Sequence, residues 1–382
     1  MNKIIILIFL YFNLSLNLSA NPNIQARTGI LIDYHSDKVL YELDPDSQIY
    51  PASMTKIMTA IVAFDLLKKN KLSLDDKFTI SENAWRLSQA GYSSMFIMIN
   101  DQVSVENLLK GIIIASGNDA CVALAEGIAG SESNFADMMN EKAGEIGMTS
   151  TNFTNSSGIN DPDNVSTARD IAIMSKYLIK NYPIFYELFA EKTFTWDRTG
   201  GEPIKQGNRN PLLYKNVGVD GVKTGYLAVE KYSLASTMKK KDRRVIAVAS
   251  GFNTKNLRSS ESLKLLNWGF RNTNTFEISK NGETIFELDT WLGTTNKIKA
   301  TPKEDFYLTI NKKDISHLTV SLDYDGPILA PVKKGTQIAT MTVKKRDEKI
   351  KSIPLYAAED LNKVNFFKSL ITSLNYSIWG DV

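Results

Sequence analysis

The sequence predicts an α/β sandwich in which helices pack on an antiparallel sheet, followed by a small all-β domain and a C-terminal amphipathic helix. Three observations carry this. Short strand-like runs flank a long helical middle. Near Thr273 the character changes to brief alternating runs punctuated by Gly and Pro, as at Asp325-Gly326-Pro327. After Pro354, Leu361, Val364, Phe367, Ile371, Leu374 and Ile378 recur at helical spacing.

Taken in order, Thr28 to Asp33 and Val39 to Leu43 read as strands around the turn Ser36-Asp37. A helix is expected from Pro51, because Pro suits a first helical turn and Ile57, Ile61, Phe64 and Leu67 follow at helical spacing. Val105 to Gly127, Phe135 to Ile146 and Ala168 to Leu178 are expected to be helical. Lys215 to Lys239 and Arg244 to Gly251 read as strands separated by a basic turn, and Ser260 to Phe270 returns to helix. In the β domain the clearest runs are Phe306 to Ile310, Leu318 to Leu322 and Gln337 to Lys344.

At 382 residues the chain has room for more than one domain. Its 45 basic and 42 acidic residues nearly balance at +3, and the basic residues form no clustered excess. Nucleic acid is therefore not an expected partner. Lys3, the apolar run Ile4 to Phe12 and the small residue Ala20 have the layout of a secretory signal peptide over residues 1–20. The apolar run is shorter than the roughly 20 residues a membrane-spanning helix requires. Export of the mature protein is expected. Cys121 is the only cysteine and reads as a small buried hydrophobe, while His35 and His317 are the only histidines. A His/Cys metal site is not expected, nor is any cofactor, and a serine hydrolase here needs a base other than histidine.

Three short motifs supply such chemistry. In Ser53-Met54-Thr55-Lys56, residues three apart share a helix face, so hydroxyl and amine can meet. Ser53 near the helix start also sets its N–H at the positive end of the helix dipole, where an oxyanion is stabilised. Lys56 acts as a base only if neutral, which requires burial or a nearby cation such as Lys223. Ser236-Thr237-Met238-Lys239 repeats the pattern in a strand, where residues three apart face opposite ways, and is read as a decoy. In Ser116-Gly117-Asn118, Ser116 is placed to relay a proton and Asn118 to donate to a substrate backbone. Alone the motif reads as a helix-to-helix turn, since Ser81-Glu82-Asn83 and Ser279-Lys280-Asn281 match it equally. Lys223-Thr224-Gly225 occurs once, in a strand where Gly225 would admit a substrate backbone and Lys223 and Thr224 would reach it. The conjunction of the three, in this order, is the strong signal.

That conjunction is the signature of penicillin-binding proteins and class A β-lactamases. More of Gln25 to Phe270 resembles the D-alanyl-D-alanine carboxypeptidases: Pro51-Ala52-Ser53-Met54-Thr55-Lys56, Ser116-Gly117-Asn118-Asp119-Ala120, Asn155-Ser156-Ser157-Gly158, Ser166-Thr167-Ala168-Arg169-Asp170, Val219-Asp220-Gly221-Val222-Lys223-Thr224-Gly225, and Leu265-Leu266-Asn267-Trp268-Gly269-Phe270. The resemblance implies a β-lactamase/DD-peptidase-like sandwich. It implies Ser53 as acyl-enzyme nucleophile, Lys56 as base, Ser116 as proton relay and Lys223 as substrate-binding. It further implies an oxyanion hole from the N–H groups of Ser53 and Tyr226, and Arg258 on the terminal carboxylate. The alternative for Arg258 is a surface ion pair with Glu261 at helical spacing. One departure is Leu227, where many relatives carry Thr.

The implied reaction removes the terminal D-alanine from peptidoglycan stems ending in D-Ala-D-Ala, with β-lactams as inhibitors. The rivals are a DD-endopeptidase, a β-lactamase and an inactive wall-binding protein. Between Asn155 and Arg169 stand Asp161 and Asp163 but no Glu to position a deacylating water, which disfavours the β-lactamase. The division expected is a signal peptide over 1–20, a catalytic domain over 21–272, a β-rich domain over 273–356 and a terminal helix over 357–382. That helix either anchors the protein on the periplasmic face of the inner membrane or packs on the β domain.

Overall fold

The computed structural model describes residues 21–159 and 161–380. The signal peptide expected over 1–20 lies outside the described residues. The centre of the catalytic domain is a five-stranded antiparallel sheet in the order Val39–Leu43, Thr28–Asp33, Arg243–Phe252, Lys231–Lys240, Val219–Leu227. The single run read as strand between Lys215 and Lys239 is therefore a hairpin of two. Strand Thr28–Asp33 is buried along its whole length, because layers cover both faces. Ile30, Ile32, Ile246 and Val248 point to the helical core, and Leu31, Val245, Ala247 and Ala249 point to helix Lys255–Asn272 on the other side. Period-two alternation is hidden in such a strand, since both faces are apolar.

Helix Lys56–Lys68 runs through the middle of the first core, with Lys56 to Phe64 all buried. It is apolar on every side, as a helix surrounded by protein must be. The α-helix begins at Lys56 and not at Pro51: Ala52–Thr55 forms a 3-10 turn leading into it. The long helix expected over Val105 to Gly127 is broken. Val105–Lys110 passes into a π turn at Gly111–Ala115, Ser116 adopts a left-handed backbone (φ 64°), and helix Asn118–Ala129 follows. At this break the chain packs closely on the 93–97 loop, and a side chain on Gly117 would stand 2.9 Å from the Met95 backbone nitrogen. A hairpin of Thr193–Trp196 with Ile204–Gly207 was not expected from the sequence.

Helix Lys255–Asn272 runs directly into strand Thr273–Ser279 of the β domain, whose main sheet has six strands. Pro354 does not end the β structure. It sits within strand Glu348–Ala357, opposite Thr340, beyond the short pairing with Lys297–Thr301 that begins at Tyr356. One side of the strand is unpaired there, so the missing N–H costs nothing. Leu361 is a buried member of the β-domain core and Leu361 pairs with Val332, so the terminal helix starts later, at Phe366–Trp379.

The two domains are joined through Asp33, fully buried at the end of its strand. Its carboxylate accepts from Thr275 Oγ1 (2.5 Å) in the β domain, Arg243 Nε (3.0 Å) and the His35 and Ser36 N–H groups. Beside it Ser36 and Thr309 hydroxyls meet at 2.6 Å and Lys38 donates to the Thr309 carbonyl. Burial by itself would raise the Asp33 carboxyl, but the bonds from Thr275, the Ser36 N–H and Arg243 outweigh it and hold it below its ordinary value of 3.8. Its stabilisation is thus complete above that value and is lost as pH falls below it through the lower folded-state value. Asp33→Ala should cost about 3–5 kcal/mol, the range for breaking a buried ion pair. Denaturant unfolding across pH 2–7 checks this: the wild-type curve should fall below about pH 4, and the variant should be weaker at neutral pH and show less of that fall.

Candidate active site

The site lies where the nucleophile turn Ala52–Thr55 packs against the edge strand Val219–Leu227. In a 3-10 turn residues three apart eclipse one another, and Lys56 Nζ lies 3.2 Å from Ser53 Oγ. The same amine donates to Asn118 Oδ1 (2.7 Å) and to the Ser157 carbonyl (2.5 Å). Lys56 is 1% exposed, among the largest fully buried side chains described. Burial pushes its ammonium below the ordinary lysine value; Cys121, Asp119 and Glu132 oppose that shift and Arg209 adds to it.

Lys223 Nζ donates to Ser116 Oγ at 2.9 Å and is 2% exposed. It is held well below the ordinary value, first by burial and then by the charges of Lys56 and Arg209. Burial, the first of the two causes the sequence offered, is thus the main one for both lysines. The structure brings Ser53, Lys56, Ser116, Asn118 and Lys223 into one cluster. Because Asn118 Oδ1 faces Lys56, its amide NH2 is the end left for a substrate carbonyl.

Thr224 is buried and Tyr226 is 53% exposed at the outer end of the strand, its ring 4.6 Å from Tyr232. Gly225 serves a purpose the sequence reading did not assign. A side chain there would stand 2.9 Å from the Pro51 carbonyl, so the glycine admits the protein's own nucleophile turn. Gly158, with φ 75°, is squeezed against the Ala52 carbonyl in the same way. Arg258 does not pair with Glu261, whose carboxylate takes Lys264 (3.2 Å) and the Gln25 N–H (3.2 Å). Its guanidinium stacks over Tyr232 at 5.6 Å, and its buried Nε has no hydrogen-bond partner. The decoy Ser236 is buried in strand Lys231–Lys240 while Lys239 is exposed. Ser81 caps a helix through the Ala84 N–H and donates to Glu126 Oε2 (2.6 Å), away from the cluster. Cys121 is buried against the Gly117 carbonyl, and burial raises its thiol to about 12, which leaves it inert.

Sequence reasoning missed the supports. Asp119 is fully buried and accepts from Ser88 (2.8 Å), Ser94 (2.6 Å) and the N–H groups of Met95 and Phe96 (both 2.8 Å), tying the 93–97 loop to the Ser116 turn. Glu132 accepts from the Ser156 N–H (3.0 Å) and hydroxyl (2.5 Å), fixing the turn whose carbonyl meets Lys56. Arg209 follows the unexpected hairpin. No short motif marks Glu132 or Arg209, and the segment Ser116 to Ala120 does not disclose what Asp119 holds, because the partners lie far off in sequence.

Comparison with known proteins follows this geometry. Residues 16–254 match the family model for D-alanyl-D-alanine carboxypeptidases, and residues 274–363 match that for the C-terminal domain of penicillin-binding protein 5. The chain belongs to the D-alanyl-D-alanine carboxypeptidase family. It is 39% identical over 362 residues to the D-alanyl-D-alanine carboxypeptidase DacA of Haemophilus influenzae, spanning 94% of this chain and 91% of that protein. It is also 39% identical over 351 residues to DacC of Escherichia coli, spanning 91% and 86%. Among solved structures it resembles penicillin binding protein 5 of H. influenzae (TM-score 0.80, 38% identity, 90% of this chain and 99% of that one). Penicillin-binding protein D2 of Listeria monocytogenes in its ampicillin-bound form matches the catalytic part (TM-score 0.59, 27% identity, 66% and 100%). As a carboxypeptidase-family member the chain is a serine-type hydrolase, and the sandwich followed by a β domain is the fold its motifs predicted.

Because Arg209 lowers Lys56, Arg209→Met should raise the Lys56 pKa and shift the acidic limb of the acylation rate toward higher pH. Stopped-flow acylation by a reporter β-lactam between pH 5 and 10 reads this directly; an unmoved limb would show that Arg209 does not act on the base.

Proposed function

We propose that this protein removes the terminal D-alanine from peptidoglycan stems ending in D-Ala-D-Ala, through an acyl-enzyme on Ser53, and that β-lactams acylate the same serine. The observation that carries this is the buried Lys56 amine 3.2 Å from Ser53 Oγ. Neutral Lys56 takes the Ser53 proton as Oγ attacks the carbonyl of the penultimate D-Ala. The N–H groups of Ser53 and Tyr226 hold the oxyanion. Ser116, which accepts from Lys223, relays that proton from Lys56 to the leaving amine, so D-alanine departs and Lys56 is neutral again. Water, with Lys56 again as base, adds to the ester and frees Ser53. The Asn118 amide and Thr224 bind the peptide backbone, and the Arg258 guanidinium takes the terminal carboxylate.

The test is free D-alanine released from a pentapeptide ending in D-Ala-D-Ala. Ser53→Ala should lower release at least about a thousandfold, and prior penicillin treatment should do the same. Penicillin turnover without D-alanine release would point to a β-lactamase. Stable penicillin labelling without release would point to a crosslinked substrate and an endopeptidase.

We place the mature protein in the periplasm, at the inner-membrane surface. The export reading rests on Lys3, Ile4 to Phe12 and Ala20. Among the described residues no helix is long and apolar enough to cross a membrane. Helix Phe366–Trp379 instead exposes Phe366, Phe367, Leu370, Ile371, Leu374, Ile378 and Trp379, and touches the β domain through Tyr376 against Trp291. An apolar face left uncovered suits the lipid interface. A chain ending at Asn365 should keep full peptidase activity and lose sedimentation with liposomes; sedimentation equal to that of the full chain would defeat this placement.

A further inference from the structure

Glu230 stands in the turn between strand Val219–Leu227 and strand Lys231–Lys240, and its side chain is 3% exposed. Both carboxylate oxygens are engaged. Oε1 accepts from Arg27 Nη2 (2.6 Å) and Ser250 Oγ (2.6 Å), and Oε2 accepts from Arg27 Nη2 (2.7 Å) and the Tyr50 N–H (3.2 Å). Ser250 is in turn bonded to Ser233 at 2.7 Å. An ion pair alone would not distinguish this residue, since Arg27 is nearly half exposed. The Tyr50 bond does.

Tyr50 carries the last backbone donor before the nucleophile turn, because Pro51 has none. Three residues on is Ser53; four residues before Glu230 is Tyr226. The Tyr50–Glu230 bond therefore closes a small ring of chain, with the Gly225–Pro51 contact lying inside it. The two N–H groups proposed to hold the oxyanion are on opposite sides of that ring. We propose that Glu230 is a positioning residue that fixes the separation of the Ser53 and Tyr226 N–H groups by clamping the Tyr50 N–H to the end of the Lys-Thr-Gly strand. This rests on the acyl-enzyme reading above, and adds to it a carboxylate outside all three motifs. Oxyanion donors are effective only when held at fixed geometry, and a small misplacement costs rate well before it costs binding.

The experiment compares Glu230→Ala, Glu230→Gln and Arg27→Met with the wild-type mature chain. Pre-steady-state mixing with a chromogenic β-lactam separates initial binding, acylation and deacylation, and thermal unfolding is measured alongside. Both covalent steps pass through an oxyanion. Glu230→Ala should therefore slow acylation and deacylation together, each by about 10- to 100-fold, with initial binding within about threefold. Glu230→Gln keeps an acceptor for the Tyr50 N–H, and the Ser250 hydroxyl can reverse to accept from the new amide, so most of the rate should return. Arg27→Met removes the ion pair but leaves the Tyr50 bond, and should lower stability with little change in either rate. The proposal fails if Glu230→Ala acylates at the wild-type rate, if Glu230→Gln is as slow as Glu230→Ala, or if Arg27→Met slows both steps equally. A wild-type chain that neither releases D-alanine nor reacts with the β-lactam would instead defeat the underlying acyl-enzyme reading.

Discussion

Desolvation of one lysine organises the catalytic domain. An amine held below the ordinary lysine value needs an environment that disfavours its charge, and on this chain that environment is the buried stretch Lys56 to Phe64 of its helix. The demand propagates outward. Such a stretch must be covered by others, so Asn118–Ala129, Glu132–Glu145 and Ala168–Asn181 pack round it and the sheet closes the remaining side. A buried amine must also have its hydrogen bonds met. Lys56 finds them in Ser53, Asn118 and the Ser157 carbonyl, drawn from three separate stretches of chain.

Holding those stretches together falls to carboxylates, Asp119 and Glu230 buried and Glu132 half-buried. Asp119 gathers the 93–97 loop, Glu132 fixes the turn at Ser156, and Glu230 joins the Lys-Thr-Gly hairpin to Tyr50. Each accepts backbone N–H groups that the helices and sheet leave without a partner. Glycine supplies the opposite means of fixing position, by close approach. Gly225 and Gly158 bring backbone against the two carbonyls that precede Ser53, so the nucleophile turn is gripped from two sides without a side chain in between.

The β domain repeats this logic at the junction. Asp33 ends a buried strand and reaches the hydroxyl of Thr275 in the next domain. Helix Lys255–Asn272 passes into strand Thr273–Ser279 with no linker. The orientation of the two domains is therefore set by a continuous element and a buried charge together. At the far end the terminal helix makes the opposite choice, leaving most of its apolar residues in solvent.

Much of this was legible in the sequence, and the limits have a physical cause. Strands Thr28–Asp33 and Val39–Leu43 were recovered as short strand-like runs around a turn, and most helices of the middle region from their periodicity, because both signals are short-range. The catalytic cluster was equally legible, since each of its members lies in a short motif whose spacing encodes proximity. Tertiary structure alone decided the rest. The break at Ser116 comes with close packing of Gly117 on Met95, which lies more than 20 residues earlier in the chain. The late start of the last helix arises because Leu361 gains more by filling the β-domain core than by extending an exposed stripe. Asp119, Glu132, Arg209 and Glu230 were silent for the same reason. A carboxylate or guanidinium gains its meaning from partners tens to hundreds of residues away, and no local pattern records who those partners are.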